Sequence, residues 1–148
     1  MKLANVNNEE WNTFAPYVDT ILLPVARLGF HEKELHSSEQ VIEEIAGEVE
    51  QELQGRLLLM PTISYGKDLS TLQLYIRSIV EEWKSSSFYH IVILAAETVL
   101  HELSFSTVDK PYQITLIPVK ITDGAKDMNI EEEASSVCEK LILTWSNE

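Results

Sequence analysis

The sequence predicts an α/β protein with a single-domain, three-layer, doubly wound fold, in which helices cover both faces of a mostly parallel sheet of about five strands. Short, nearly continuous apolar runs recur along the chain, and segments with helical periodicity lie between them. A strand covered on both faces is apolar without alternation, and strand–helix alternation favours parallel strands joined by right-handed crossovers. The length of 148 residues suits one domain spanning 1–148.

The apolar runs are predicted to be the strands. Three of them carry a proline near the end, where a missing backbone donor is tolerated because pairing is finishing there. With the helices between them they predict the order β-α-β-α-β-α-β-α-β after an initial helix. The runs are TILLPV (20–25), RLLLMPTI (56–63), HIVILAA (90–96), QITLIPVKI (113–121) and KLILTW (140–145).

Two long segments between the runs have the periodicity of amphipathic helices. From Ser38 to Gln54 the apolar residues fall on one stripe, glutamates fill the other side, and Gly55 follows as a stop signal. From Asp68 to Lys84 a second apolar stripe recurs, and Asp68 is placed as its N-cap. Both segments are predicted to be helices that pack on the sheet.

Shorter helices complete the predicted pattern. Asn7 or Asn8 is placed to cap a first helix before Pro16. Another short helix is expected after the third strand, from Glu97 to Leu103. The last is expected from about 130 to 139.

The composition limits the expected partners and compartment. The chain has 11 basic and 24 acidic residues and a net charge of −13. A negative surface repels phosphate backbones and anionic headgroups, so neither nucleic acid nor a membrane is expected as a partner. No apolar run approaches the ~20 residues that span a bilayer.

Cys138 is the single cysteine, and we expect it to be a small buried side chain. Because a single cysteine cannot form a disulfide within the chain, the sequence predicts a reducing, cytoplasmic location.

The loops after the strands are where a ligand is expected, because open α/β sheets bind ligands beyond the carboxyl ends of their strands. These loops are 26–38, 62–68, 95–98 and 120–127, and each carries polar or ionisable side chains. The predicted ligand-binding residues are His31, Glu34, His36, Tyr65, Lys67 and Glu97.

The two histidines in the first of these loops allow two interpretations. Imidazole and carboxylate suit zinc or manganese, and an atypical ligand set would draw on His31, His36 and Glu97, with Glu34 as a further candidate. The spacing matches no compact metal motif, however, since HExxH would need a histidine at 35, where Leu35 stands. The other interpretation is a solvated loop that leads into the next helix, with neither a metal nor another cofactor.

Glu97 is the second position with two interpretations. It lies four residues before His101 on a predicted helix, so the two side chains share a face. A catalytic acid directly after the third strand would reach a crevice at the strand ends. The plainer interpretation is an exposed acid, which the helix dipole favours in a first turn.

Common catalytic motifs are absent from the sequence. PTISYGKD (61–68) is predicted to be a strand-to-helix loop, and its single glycine without GK[ST] does not make a P-loop. Neither GxGxxG nor GxSxG occurs. No motif therefore supports a dinucleotide site or a serine nucleophile.

One part of the chain resembles the creatininase-type metal amidohydrolases. ILLPVARLGFHEKELHSSEQ (21–40) is similar to that family's strand and loop, LPVGSxEqHGpHLPxxxD, and LLLMPTISYG (57–66) to its strand ending PPxxYG. YHIVIL (89–94) follows where the family has a similar strand before NGHGGN. The resemblance covers residues from about 19 to 95 and implies a shared scaffold.

The same resemblance implies that the metal chemistry is lost. Gly29 stands where the family has its first metal-binding acid, and Gln40 stands where it has an aspartate. His31 falls at the place of a metal-binding histidine. The NGHGGN segment is replaced by AAETVL (95–100), so the implied ligand set is incomplete.

The chain is also similar to the uncharacterised YpiF-type proteins of Gram-positive spore formers, in size and in the stretch YVDTILLPV (17–25). That resemblance implies no activity. The function predicted from the sequence is a non-catalytic binding or self-association module on a degenerate creatininase-like scaffold, with a protein partner, another copy of the chain or a small ligand bound at the strand ends. The alternative is a metal-dependent, amidohydrolase-like enzyme with zinc or manganese.

Overall fold

The computed structural model describes residues 1–27, 40–83, 85–105, 113–121 and 128–147, and the backbone of 30–31 and 34–35. Its central sheet has five strands in the order β4-β1-β6-β7, with β5 also paired to β1, and every pairing in it is parallel. The remaining two strands, β2 and β3, pair with each other in antiparallel fashion. The strands are β1 (Thr20–Arg27), β2 (Phe30–His31), β3 (Glu34–Leu35), β4 (Leu57–Leu59), β5 (Ile63–Tyr65), β6 (His90–Ala96) and β7 (Gln113–Val119).

The helices begin and end largely where the capping residues predict. The side chain of Asn7 accepts a hydrogen bond from the backbone of Glu10 at 2.8 Å, and Asp68 accepts one from the backbone of Ser70 at 3.0 Å. Gly55, after the second helix, has a φ of 99°, which glycine adopts at least cost. No helix in the described ranges is both long and apolar enough to cross a bilayer. The helices are α1 (Asn8–Phe14), α2 (Gln40–Glu52), α3 (Leu69–Trp83), α4 (Glu97–Leu100) and α5 (Ile130–Ser146).

Each face of the sheet has its own apolar core, so the predicted layers are confirmed. α2 and α5 pack on one face through residues such as Ile45 and Leu141. α3 and α4 pack on the opposite face through residues such as Ile76 and Leu100. Burying each such aliphatic side chain contributes about 1.5–3 kcal/mol relative to leaving it exposed. β6 is buried along its whole length because it lies between β1 and β7 and under helices on both faces.

The two central strands, β1 and β6, mark the point where the strand order reverses. The chain crosses from β1 to β4 on one side of the sheet, and from β6 to β7 on the other. Open α/β sheets bind ligands at such a point, outside the carboxyl ends of the strands. We call that end of the sheet, at Arg27 and Ala96, its top, and the opposite end, at Thr20 and His90, its bottom.

The predicted last strand at 140–145 is wrong, because these residues continue α5 to Ser146. Read alone, KLILTW is a β-like apolar run. Its apolar residues are not all buried, however: Leu141 is 0 % exposed, whereas Leu143 is 62 % exposed. Together with Ala134, Val137 and Cys138, Leu141 completes a stripe at i, i+3, i+4 and i+7, which is the period of a helix.

The predicted strand at 56–63 is interrupted, and the loop predicted at 61–68 contains a strand. Leu22 pairs with Leu59, and Val25 pairs with Ile63. Two residues of β1, 23–24, therefore lie opposite three residues, 60–62. One extra residue on one side of a pair is the mark of a β-bulge. Pro61 lies in this bulge, where its missing N–H costs no ladder bond.

Cys138 is buried in α5, as predicted. Burial raises the pKa of its thiol to about 12, and the hydrogen bond and the charge of Glu52 act in the same direction. A thiol with this pKa stays protonated at neutral pH, and it is therefore a packing residue rather than a nucleophile.

Candidate functional site

The top of the sheet carries several of the polar residues predicted to bind a ligand. Arg27 ends β1 and is the register partner of Tyr65, which ends β5. Tyr65 is 9 % exposed, whereas Lys67, in the turn that follows, is exposed. Glu97 begins α4 directly after β6. The fold thus brings the strand-end residues Arg27, Tyr65 and Glu97 to one end of the sheet.

Glu97, which begins α4, and His101, which directly follows it, form a loose pair on the surface, and the helix predicted to reach Leu103 ends at Leu100. The distance from Glu97 Oε1 to His101 Nε2 is 3.9 Å, and the two side chains are 47 % and 71 % exposed. A pair this long and this open to water contributes little to stability. The sharing of one helix face is confirmed, and both side chains remain accessible to a ligand.

The loop after β1 is described only in part. The backbone of His31 in β2 lies opposite Glu34 in β3. The side chains of both residues, and all of His36, lie outside the described residues. Their convergence with Glu97 therefore stays a prediction.

A metal site at the top would need more ligands than the described residues bring together. Within those ranges no three side chains among His, Cys, Asp and Glu converge. Glu97 and His101 supply two suitable donors, whereas a zinc site takes at least three from the protein. The zinc or manganese site that the sequence predicts as an alternative combines Glu97 with His31 and His36, with Glu34 as a further candidate, and it stays a prediction.

Asp68 is a capping residue. It accepts hydrogen bonds from the Thr71 hydroxyl at 2.7 Å and from the backbone of Ser70 at 3.0 Å. These bonds, the Thr71 hydroxyl first, lower the pKa of Asp68. Its charge therefore stabilises the start of α3, where the helix dipole favours a carboxylate.

A groove between β5 and one flank of α3 was not predicted. It has a volume of about 430 Å³, and none of the described residues that line it carries a charge. Tyr75 at its rim is 55 % exposed, and Ile79 and Trp83 are half-buried. We call it the α3 groove. Its main walls are Met60, Pro61, Ile63, Tyr75, Ile79 and Trp83.

The sequence contains a signal for this groove. Tyr75, Ile79 and Trp83 recur at i, i+4 and i+8, beside the buried stripe of Leu72, Ile76 and Val80. The apolar part of α3 is therefore wider than the part that the sheet covers. Width alone does not tell which residues the sheet leaves open, because that depends on where the helix lies over the strands.

The bottom of the sheet holds a bonded polar network that was also not predicted. Arg56 donates to both carboxylate oxygens of Asp19, from Nε at 3.0 Å and from Nη2 at 3.0 Å. The Thr20 hydroxyl donates to Asp19 at 2.8 Å and accepts a bond from Trp145 Nε1 at 2.9 Å. The guanidinium carbon of Arg56 lies 4.3 Å from the centre of the Trp145 ring, which is a cation–π distance.

This network changes the ionisation of Asp19. Burial is the largest single influence and raises the pKa, but the hydrogen bonds from Arg56 and Thr20, with the charges of Arg56 and His90, together lower it below the ordinary value of 3.8. Asp19 also accepts, through its carbonyl, from the backbone of His90 at 3.0 Å. The bottom of the sheet is thus held by contacts between β1, β6, α5 and the residue before β4.

The first residues of the chain cover the outer side of β4. Lys2 forms a parallel bridge with Leu59, and the carbonyl of Met1 accepts from the backbone of Leu59 at 2.7 Å. The α-amino group of Met1 lies 2.6 Å from Glu50, a buried residue of α2. A half-open cavity of about 580 Å³ lies beneath this segment, with both Glu50 and Phe14 in its walls.

The chain belongs to the family described as "Protein of unknown function (DUF2487)", whose sequence profile matches residues 9–145. A search of curated proteins finds no match. The family therefore extends over nearly the whole chain and brings no activity with it.

Solved structures of creatininase share the fold. One described as "Creatininase Mn" has a TM-score of 0.59 at 14% identity over 79% of this chain and 57% of its own. A mutant creatininase complexed with creatine has a TM-score of 0.59 at 13% identity, over 79% of this chain and 57% of its own. The chain thus spans a little over half the length of these proteins. At this identity the likeness establishes the α/β scaffold, and the scaffold part of the predicted resemblance is confirmed.

Proposed function

We propose that this member of a family of unknown function is a cytoplasmic, non-catalytic module on a creatininase-like scaffold, and that it binds a protein partner or another copy of itself. The α3 groove is the observation that carries this proposal. Its described walls are uncharged, although the chain has a net charge of −13. An apolar hollow on a strongly acidic protein is typical of an interaction site, since a solvated surface would carry charges there.

The size and walls of the groove support binding. A volume of about 430 Å³ falls within the range of roughly 300–1,000 Å³ found for ligand sites. Its walls come from a strand of the central sheet and from a helix that the core holds through Leu72, Ile76 and Val80. A partner would therefore meet a preformed surface and would have little ordering entropy to overcome.

The groove is continuous along β5 with Tyr65, one of the predicted ligand-binding residues. Tyr65 ends β5, and Ile63 and Ser64 of the same strand line the groove. We propose that the top extends the binding surface. The residues proposed for this extension are His31, Glu34, His36, Tyr65, Lys67 and Glu97.

The proposed loss of metal chemistry rests on the sequence of the first loop. Gly29 and Gln40 stand where the creatininase-type template has carboxylates. Gln40 begins α2 and is exposed. An amide at this position carries no charge to neutralise a divalent cation. The similarity to YpiF-type proteins belongs to the same proposal and adds no chemistry.

The alternative function is a metal-dependent, amidohydrolase-like enzyme. The observation in its favour is Glu97, an accessible acid at the carboxyl end of β6, on a fold shared with a structure described as "Creatininase Mn". Its ligands would be His31, His36 and Glu97, with Glu34 as a further candidate.

Thermal melting with manganese or zinc separates the two functions. A metal at about 100 times its Kd adds about 2.7 kcal/mol to stability, which raises the melting temperature by several degrees in a chain of this size. The enzyme predicts such a rise, and its loss in a His31→Ala/His36→Ala double variant. The binding module predicts no rise with either metal. A rise that the double variant abolishes would overturn the proposed function.

A further inference from the structure

The outer edges of β4 and β5 differ in whether another segment of the chain pairs with them. The first two residues of the chain pair with β4 through Leu57 and Leu59. β5 pairs with β1 on one side, and in the described part of the chain no strand pairs with its other side. An open strand edge offers backbone donors and acceptors on which an extended segment can form a further strand.

The α3 groove lies directly beside this open edge. Ile63 and Ser64 of β5 form one wall, and Tyr75 and Ile79 of α3 form the other. Successive side chains of a strand point to opposite faces of the sheet. An added strand would therefore direct alternate side chains toward α3, where the uncharged groove receives them.

The charges around the groove indicate what kind of segment fits. Glu82 follows Tyr75 by seven residues on α3 and therefore lies on the same flank of that helix, and Asp68, the capping residue just before α3, precedes Tyr75 by seven. Both acids are exposed, and the chain has a net charge of −13. A second copy would bring the same negative charge, whereas a segment with basic residues around an apolar centre is complementary.

We propose that the open edge of β5 and the α3 groove together bind an extended, basic segment of a partner protein, which adds a strand beside Ile63 and Ser64 and places an apolar side chain between Tyr75 and Ile79. This inference rests on the binding function proposed above and names the partner's chemistry. Pro61 in the preceding bulge keeps the open edge short, which limits uncontrolled pairing of edges and keeps the binding modest.

The test uses the whole chain and two synthetic peptides. In the basic peptide, valine and tryptophan alternate with threonine between two pairs of lysines, and in the acidic peptide glutamates replace the lysines. We expect the basic peptide to bind by calorimetry with a Kd of roughly 10–100 μM at low salt, and more weakly as salt increases. We expect slower amide exchange at Ile63 and Ser64 in its presence.

Two matched variants locate the contact. Tyr75→Ala removes a wall of the groove and is expected to weaken binding by roughly tenfold. Leu74→Ala, at a residue that is 67 % exposed on the same helix and outside the groove walls, is expected to leave the Kd unchanged. Equal effects of the two variants would overturn the placement in the groove.

The remaining outcomes separate this inference from the proposed function. Binding without protection of the β5 amides would overturn strand addition, and equal binding of the acidic peptide would overturn the charge argument. If neither peptide binds and light scattering shows a mass that rises with concentration, the occupant is a second copy, so the inference fails and the binding function stands. If neither peptide binds, the chain stays monomeric and a metal raises its melting temperature, both fail.

Discussion

The bottom and the top of the sheet differ in how their polar side chains are satisfied. At the bottom, Asp19, Thr20, Arg56 and Trp145 bond to one another at 2.8–3.2 Å. At the top, Glu97 and His101 lie 3.9 Å apart on the surface. Groups that satisfy each other hold a fold together, whereas groups that face water remain able to bind something else.

The difference shows that a conspicuous residue type is a weak guide to its role. Glu97 and His101, which attract attention in the sequence, lie at the top, where their described contact is loose. The residues that close the bottom are single, unremarkable positions far apart in the chain, such as Asp19 and Trp145. Under the proposed function, the contacts that stabilise the fold lie at the bottom and the extended binding surface lies at the top, so substitutions at the two ends should separate stability from binding.

The largest effect is expected at Trp145. Trp145→Ala removes a half-buried ring, its hydrogen bond to Thr20 and its contact with Arg56. We expect the free energy of unfolding to fall by about 3 kcal/mol, measured by urea denaturation. Leu143→Ala on the same helix is the control, since Leu143 is 62 % exposed and should change stability by less than about 0.5 kcal/mol. Equal losses of stability in the two variants would mean that the Trp145 ring is not part of the network at the bottom of the sheet.

A smaller effect is expected at Arg56. Arg56→Lys keeps the charge but loses the two-pronged contact with Asp19 and the flat stacking on Trp145. Because the Arg56 and Asp19 side chains are 35 % and 36 % exposed, we expect a loss of about 1 kcal/mol in urea denaturation. Arg27→Lys at the top is the matched control and should be neutral. If Arg56→Lys leaves the free energy of unfolding unchanged, the charge of Arg56 alone accounts for its contribution.

The acid dependence of stability should be smaller still and specific to Asp19. Its pKa is lowered in the folded chain, so its contribution is fully present above the ordinary pKa of an aspartate and is lost as pH falls through the folded value. In Asp19→Asn this part of the acid-induced loss should disappear below about pH 4. Urea midpoints between pH 5 and pH 2, compared with those of the parent chain, measure it. Parallel curves would show that Asp19 has the same pKa folded and unfolded.

The sheet and most helices could be predicted because local patterns determine them. Continuous apolar runs identified β1, β6 and β7, and Asn7 and Asp68 identified helix starts. The segment 140–145 was wrongly predicted to be a strand because a short apolar run has the same pattern in a buried strand and in a half-exposed helix. Only the buried stripe that begins six residues earlier, at Ala134, separates the two.

The site could be predicted much less well, since it depends on contacts between distant segments. Topology placed Tyr65 and Glu97 at the strand ends. The α3 groove depends on how α3 lies over β5, and the network at the bottom joins residues up to 125 positions apart. No local pattern encodes such contacts, because the partners are far apart in the chain and each is identified only by the other.

The smallest effect on stability is expected at Glu97. Glu97→Gln removes a charge from an exposed pair that is 3.9 Å long, so the free energy of unfolding should change by less than about 0.5 kcal/mol. The same variant tests the role of the top. If Glu97 is a metal ligand, its replacement should lower the affinity for manganese and leave urea denaturation unchanged. His101→Gln is the matched control for the other half of the pair. A loss of more than about 1 kcal/mol of unfolding free energy in Glu97→Gln, but not in His101→Gln, would show that Glu97 has a structural partner besides His101. The top would then stabilise the fold, as the bottom does.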